Sequence, residues 1–233
     1  MNGKTHRLVG IATVGAIGLI YPTLALGTVT LTPMVGLLMA DVGSKIADVD
    51  IERSEYGNKF PLLAKIFKHR GFTHTGLIVL LQLIAFYFVY KTHITPKQAM
   101  VEFVILFFVF QGSLVCSIGL KLIKKLFKRN KLINVLLHLI PLALTIVIYA
   151  LIKDDLTRIH NVFCSVMFGF IVAYISHILA DMCNRKGIPL FYPFTKKHFH
   201  IAKVKTGTWE EIVFGIIYIL FIVVTVFGIK CYF

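Results

Sequence analysis

The stretch HRGFTH, residues 69–74, lies where a charged loop gives way to a long apolar run. Its two histidines are five residues apart, so they cannot share one face of a regular helix. A turn at Gly71 is therefore needed to aim both side chains at one place. Since imidazole is the commonest metal ligand in proteins, the stretch predicts a metal site. Thr73 and Thr75 are suitable helix-start residues, which puts His74 in a first helical turn and His69 in the loop before it.

The composition is that of a membrane protein. The chain has 233 residues, of which 57% are hydrophobic, and its mean hydropathy is +0.80. These values are too high for an ordinary soluble domain. Apolar runs of about 18–22 residues, the length that crosses a bilayer, occur at 8–26, 28–47, 72–90, 99–120, 132–152, 161–181 and 210–229. The sequence predicts an all-α, polytopic integral membrane helical bundle of about seven helices, forming a single domain over residues 1–233.

The second predicted helix has charged residues in its later part, namely Asp41, Lys45 and Asp48, so we expect it to be short or re-entrant. Asp41 lies seven residues before Asp48, which places it about 10 Å deeper at the rise of a helix. It is therefore expected to support a ligand from behind or to pair with Lys45 rather than to bind a metal ion itself.

The basic residues indicate the orientation of the helices. The net charge is +14, and 20 of the 25 Lys and Arg residues fall at the N-terminus and in the loops at 45–70, 121–131 and 185–205. Cytoplasmic loops of membrane proteins carry such an excess, so the N-terminus and these loops are predicted to be cytoplasmic and the C-terminus outside. This topology, together with anionic membrane lipids as partners, explains the charge. No nucleic-acid partner is expected.

Histidine and carboxylate residues gather at the predicted cytoplasmic ends of four helices. Each of them alone has an ordinary structural explanation, but ionisable residues at membrane-helix ends are costly unless they are paired or functional. His177 and Asp181 are four residues apart and therefore on one helical face. Asp48 and Asp50 can converge only if the second helix ends there. The predicted metal ligands are His6, Asp48, Asp50, His69, His74, His177 and Asp181.

Mixed imidazole and carboxylate ligands are typical of zinc, with manganese and iron as alternatives, and the number of candidates allows one or two ions. Such an ion lowers the pKa of a bound water, and a nearby carboxylate such as Asp48 can accept the proton. Arg70, flanked by predicted ligands, is suited to hold a phosphate or to stabilise charge in a transition state. Asp48 and Arg70 are thus the predicted catalytic residues. His160 is expected about 25 Å away, on the outer side, and is assigned no role.

The order of these motifs resembles a known family. The shared positions are Thr5-His6, Asp48-Val49-Asp50 with Ser54, residues 69–75, Ser176-His177 with Asp181, Gly187, Pro193, and residues 206–208 with Glu211. They are similar to those of the YdjM-like family of LexA-regulated, membrane-bound metal-dependent hydrolases. The resemblance implies a multi-pass α-helical protein of the bacterial inner membrane. The His177-x-x-x-Asp181 pair and the early histidine are also similar to zinc-dependent phospholipase C, which by analogy implies a phosphoester substrate.

The sequence therefore predicts a membrane-bound metal-dependent hydrolase that acts at the cytoplasmic interface on a phosphoester or lipid-linked substrate. Two other functions stay open. A proton- or ion-coupled transporter would have polar groups through the full membrane thickness and usually paired repeats. A non-catalytic membrane scaffold or stress-response protein would keep its function when the predicted ligands are replaced.

Overall fold

The computed structural model describes residues 1–52, 54–58, 62, 65, 71–92, 95–116 and 155–232. The helix predicted at 132–152 and two predicted site residues, His69 and Arg70, lie outside these ranges. The described part is mainly helical, and each of its helices overlaps one predicted apolar run. They are α1 Gly3–Ile20, α2 Pro33–Ile46, α3 Gly76–Lys91, α4 Pro96–Cys116, α5 Leu156–Met182 and α6 Trp209–Tyr232.

Two of the described helices are long and apolar enough to cross a membrane. They are α5 over its whole length and α6 from Trp209 to Gly228. Helix α3 is also apolar but has 16 residues. Most of α5 is buried by other parts of the protein, whereas most of α6 is exposed. Helix α5 is therefore central to the described bundle, and α6 packs on its outside.

A short β-hairpin separates α1 from α2, so the prediction of an all-α fold is wrong in this segment. Strands β1 Leu24–Leu26 and β2 Val29–Leu31 pair antiparallel, with Leu26 opposite Val29. Their two-residue loop begins with Gly27 at φ +60°, a conformation that hairpin turns use and that favours glycine. The predicted run 8–26 is cut short because Tyr21 precedes Pro22, and a residue before proline disfavours the helical conformation.

Helix α2 is short, as predicted. Its 14 residues give a length of about 21 Å, less than the ~30 Å hydrocarbon core of a bilayer. After Ile46 the chain tightens into a 3-10 helix, Ala47–Asp50. In a continued α-helix the side chains of Asp48 and Asp50 would point in nearly opposite directions, and the 3-10 geometry changes this.

Glycines let α1, α2 and α5 approach each other closely. A Cβ added at Gly36 of α2 would lie 2.8 Å from the Cα of Gly169 in α5. A Cβ added at Gly10 of α1 would lie 2.6 Å from the Cβ of Ser44 in α2. Small residues at such crossings are typical of membrane bundles, where close packing replaces the hydrophobic driving force between helices. The three-helix contact forms the scaffold on which the candidate site is built.

The substitution Gly36→Ala is expected to destabilise the protein by about 1–3 kcal/mol, because the new methyl group overpacks the crossing of α2 and α5. Gly15→Ala is the matched control, since a Cβ there would meet Leu37 Cδ2 at 3.9 Å, an ordinary contact. The measurement is thermal unfolding of the purified protein in detergent. Equal stability of the two variants would contradict the close contact of α2 with α5.

Candidate metal centre

Four chain segments bring imidazole and carboxylate groups to one place. Helix α5 ends with His177 and Asp181 on one face, one turn apart. The 3-10 helix after α2 supplies Asp48, and a second 3-10 helix, Phe72–His74, supplies His74 just before α3. Helix α1 supplies His6. We call these five residues the His/Asp cluster.

The ligand atoms of the cluster have the spacing that one metal ion requires. His74 Nε2 lies 3.3 Å from His177 Nε2, 3.5 Å from Asp181 Oδ2 and 3.6 Å from Asp48 Oδ1. His177 Nε2 lies 3.6 Å from Asp48 Oδ1. Ligands bonded to tetrahedral zinc at about 2.0–2.2 Å are separated from one another by about 3.3–3.6 Å. The chemistry of the donor set and its spacing therefore both fit a single ion.

His6 completes the cluster from the side of α1. Its ring stacks on that of His177 with centroids 3.7 Å apart, and its Nε2 lies 3.2 Å from Asp181 Oδ1. Its Nδ1 is buried and has no hydrogen-bond partner among the described residues. Burying a polar nitrogen without a partner is costly. A bound cation, or a water held by it, would provide the missing partner.

The outer nitrogens of the two central imidazoles are fixed by the protein. His177 Nδ1 donates to the carbonyl oxygen of Ser44 at 2.6 Å. His74 Nδ1 lies 3.0 Å from Thr73 Oγ1 and 3.4 Å from Asp50 Oδ2, and the Thr73 hydroxyl donates to the same Asp50 oxygen at 2.7 Å. A proton on each Nδ1 leaves each Nε2 as the lone-pair nitrogen that faces the cluster.

The protonation of the cluster is set by its charges. Burial opposes the charged form of Asp48, but His74 and the neighbouring imidazoles outweigh it, so the pKa of Asp48 lies below its usual value. Burial also opposes charge on His74, yet Asp48 and Asp50 beside its ring raise its pKa from 6.5 to about 9. At neutral pH the ion-free protein thus carries a carboxylate at Asp48 and an imidazolium at His74. A metal ion would have to displace the His74 proton.

Two cavities open onto the cluster, and Asp48 lines both of them. The first has a volume of about 440 Å³, and its wall also contains Asp181. The second has a volume of about 720 Å³. Basic residues surround both openings: Arg185, Lys186 and Lys205 line the first, and Lys4, Arg7 and Lys45 line the second. The cluster is therefore accessible from positively charged cavities.

The structure brings together five of the predicted ligands, namely those of the His/Asp cluster. Asp50, also a predicted ligand, lies on the Nδ1 side of His74, and the prediction that it binds metal directly stays open. His74 precedes α3 rather than lying in its first turn, because the Thr75 side chain accepts from Ile78 N and the helix begins at Gly76. As expected, Asp41 pairs with Lys45 at 2.8 Å, and it also pairs with Arg7 at 2.7 Å.

Some residues of the site were not foreseen. In the sequence, the basic residues Arg185, Lys186 and Lys205 were used only to orient the helices. Their position shortly after the end of α5 was the one indication that they could lie beside Asp181. The Ser44 carbonyl group gives no sequence signal at all, because any residue there would supply it. Thr73 was expected to begin a helix, but its hydroxyl links Asp50 to His74.

A second buried polar group lies near the start of α5. His160 Nδ1 lies 2.9 and 3.1 Å from the two carboxylate oxygens of Glu102 in α4, and the Cys164 thiol lies 3.6 Å from His160 Nε2. All three side chains are buried. No role was predicted for His160. The contact joins α4 to α5, and it reaches none of the cavities described above.

The described part is thus a mainly helical fold with two helices apolar enough to cross a membrane and a buried His/Asp cluster that could hold a metal ion. The chain belongs to the family described as YdjM inner membrane protein, which matches residues 1–129 and 131–232. The resemblance seen in the motifs is thereby confirmed. The chain is also similar to "Uncharacterized protein YvsG" of Bacillus subtilis (strain 168), with 33% identity over 102 residues, covering 42% of this chain and 56% of the relative. The match thus spans just over half of that relative's length. No solved structure matches the chain.

The substitution Asp50→Asn is expected to weaken metal binding by about 10–100-fold, because the amide holds the His74 ring less firmly than the carboxylate does. The measurement is a competition titration against a chromophoric chelator. Asp41→Asn is the control, since it also removes a partly buried carboxylate but one that contacts Arg7 and Lys45. Wild-type affinity in the Asp50 variant would show that this carboxylate does not support the site.

Proposed function

We propose that this protein is a membrane-bound metal-dependent hydrolase that acts at the cytoplasmic membrane interface on a phosphoester or lipid-linked phosphate. The observation that carries the proposal is the spacing of His74 Nε2, which lies 3.3–3.6 Å from ligand atoms of His177, Asp48 and Asp181, residues supplied by two other segments of the chain. Zinc suits this mixture of imidazole and carboxylate, with manganese and iron as alternatives.

His177 limits how many ions the cluster holds. Two groups of three potential ligands, His6–Asp48–His177 and His74–His177–Asp181, each have their ligand atoms within 4.8 Å of one another. Both groups need His177, whose Nδ1 is committed to Ser44. Its Nε2 has one lone pair and can bind one ion. The two groups therefore compete for His177, and we favour one ion held mainly by His74, His177 and Asp181, with Asp48 beside it. A second ion would have to be bound without His177.

The chemistry follows from the placement of Asp48. When bound, an ion of this type lowers the pKa of a coordinated water to about 7 and polarises a phosphoryl oxygen. Asp48 is the cluster residue that lines both cavities. It is therefore placed either to bind the ion or to accept a proton from the attacking water. His74 and His177 keep their orientation through their Nδ1 contacts while the substrate approaches.

The cavity walls favour an anionic substrate. Arg185, Lys186 and Lys205 place positive charge around the opening of about 440 Å³ that leads to Asp48 and Asp181. Cavities lined by one sign of charge concentrate ligands of the opposite sign. Phosphate groups match such a wall and also match a metal ion. Arg70 stays a predicted substrate-binding residue, because it lies outside the described ranges.

The proposed topology places the site at the inner leaflet. The bias of basic residues puts the N-terminus, the end of α5 and the 185–205 loop in the cytoplasm and the C-terminus outside. Helices α5 and α6 would then be two members of a polytopic bundle of about seven spans. A cluster at the cytoplasmic end of α5 would lie near headgroup depth, where it can meet a substrate that stays in the membrane.

The transporter alternative receives less support. A proton or ion relay along α5 would need ionisable groups through its middle, but residues 166–175 contain no Asp, Glu, His, Lys or Arg. This stretch spans about 15 Å. The two buried polar groups of α5 are thus separated by an apolar segment, as expected for one site at one membrane surface and a separate helix contact at the other.

Metal content tests the proposed centre. Detergent-purified wild-type protein is expected to contain a stoichiometric divalent metal, and the double variant His177→Gln/Asp181→Asn is expected to lose it. The matched control is His160→Gln/Glu102→Gln, which removes a buried imidazole and carboxylate at the opposite end of α5 and should keep the metal. Elemental analysis of the three proteins provides the measurement. Retention of the ion in the His177/Asp181 variant would exclude this cluster as its site.

Hydrolysis is tested separately with bis(p-nitrophenyl) phosphate as the probe. The wild-type protein is expected to hydrolyse it, to stop after removal of metal by a chelator and to recover when zinc or manganese is returned. Asp48→Asn should lower kcat by about 100-fold or more, since a positioned general base contributes about that factor. A protein that binds metal at the cluster but hydrolyses neither this probe nor a phospholipid would support the non-catalytic alternative.

A further inference from the structure

A groove between α1 and α6 has no part in the site described above. Its volume is about 480 Å³, and its apolar wall is formed by Leu8, Ile212, Gly215, Ile216, Ile219 and Leu220. The α6 residues Ile212, Ile216 and Leu220 are each more than half exposed. Gly215 lies opposite Leu8 across the groove, and a Cβ added there would be in ordinary contact with Leu8 Cδ2 at 3.6 Å. In a membrane, an apolar surface of this kind is covered by lipid chains.

One end of this groove is polar and rigidly held. It is formed by Asn2, Lys4, Thr5 and Glu211. The buried Glu211 carboxylate accepts from the backbone of Asn2 at 2.6 Å and from the backbone of Gly207 at 2.7 Å, which joins the start of α1 to the start of α6. The Lys4 side chain is exposed and makes no ion pair within the described ranges. The end of the groove thus presents a positive charge that is available to a ligand.

The polar end leads to the His/Asp cluster. Asn2 and Lys4 line both the groove and the cavity of about 720 Å³. That cavity shares Met1, Asp48 and Ile51 with the cavity of about 440 Å³. The apolar groove and the basic cavities beside Asp48 therefore lie next to each other, with Lys4 in the wall of both the groove and the larger cavity.

We propose that the groove holds an acyl chain of an anionic phospholipid whose phosphate group lies beside Lys4 and extends towards the cluster. This inference rests on the proposed hydrolase function and names its substrate class, a membrane phospholipid. An apolar groove, a lysine at its mouth and a metal-binding cluster beyond it match, in that order, the chain, the charge and the phosphoester of such a lipid. A peptide partner on α6 would fill the apolar part of the groove, but it would not account for the position of Lys4 between the groove and the cavity beside Asp48.

The test uses a variant that fills the groove. Gly215→Leu puts a branched side chain where the acyl chain would lie, and Gly228→Leu is the matched control, because an added Cβ at Gly228 meets no atom within 4 Å. Full-length protein is reconstituted in phosphatidylcholine vesicles with phosphatidic acid that carries a diazirine on one acyl chain. After irradiation, mass spectrometry maps the crosslinked peptides. Wild type and Gly228→Leu are expected to crosslink in α1 and α6, and Gly215→Leu is expected to lose these crosslinks.

A second variant keeps the test decisive should Gly215→Leu fail to fold. Lys4→Gln changes an exposed side chain and is expected to abolish the preference for crosslinking phosphatidic acid over a phosphatidylcholine probe. Lys196→Gln, also exposed but outside the three cavities, is expected to keep that preference. Unchanged crosslinking in folded Gly215→Leu, or an unchanged lipid preference in Lys4→Gln, would overturn the proposal.

Failure of this inference can be told apart from failure of the proposed function. Gly215→Leu should keep wild-type metal content and wild-type hydrolysis of bis(p-nitrophenyl) phosphate, because the groove does not touch the cluster. It should lose hydrolysis of long-chain phosphatidic acid. Loss of the long-chain reaction alone supports the groove as a lipid site. Equal hydrolysis of both substrates by wild type and Gly215→Leu would reject the groove and leave the metal centre in place.

Discussion

The close contact between α2 and α5 is the constraint on which the candidate site depends. Gly36 and Gly169 let the two backbones meet, and a few turns further along the Ser44 carbonyl accepts from His177 at 2.6 Å. A larger residue at the crossing would overpack this contact. The ring of His177 is thereby set by helix packing, and the loops that carry Asp48 and His74 close around it. The packing of α2 against α5 thus determines where the candidate metal ligands lie.

The charges of the cluster suit a bound cation. Asp48, Asp50 and Asp181 are carboxylates gathered around His6, His74 and His177, and most of these groups are buried. Burying charge is costly unless partners compensate for it. In the ion-free protein a proton on His74 gives part of this compensation. A divalent ion would provide more.

The mainly helical fold could be predicted from the sequence, because each described helix overlaps a long apolar run, whereas the seven spans and the orientation drawn from the loop charges stay predictions. The convergence of the five residues of the cluster could be predicted because the predicted helix ends lie close to the observed ones. The hairpin at 24–31 was missed because its residues are as apolar as a helix, and only Pro22 and Gly27 signal the change. The connection of Lys4 to both the groove and the cavities depends on how α1 packs against α6, a long-range contact for which one sequence gives no signal.

X-ray absorption spectroscopy of the metal-loaded protein in detergent tests the central claim most directly, because it reports the ligands around the ion itself. The account predicts a first shell of nitrogen and oxygen at about 2.0–2.2 Å, with the outer-shell scattering of at least two imidazoles. A shell containing sulfur at about 2.3 Å, or one made of water alone, would contradict it.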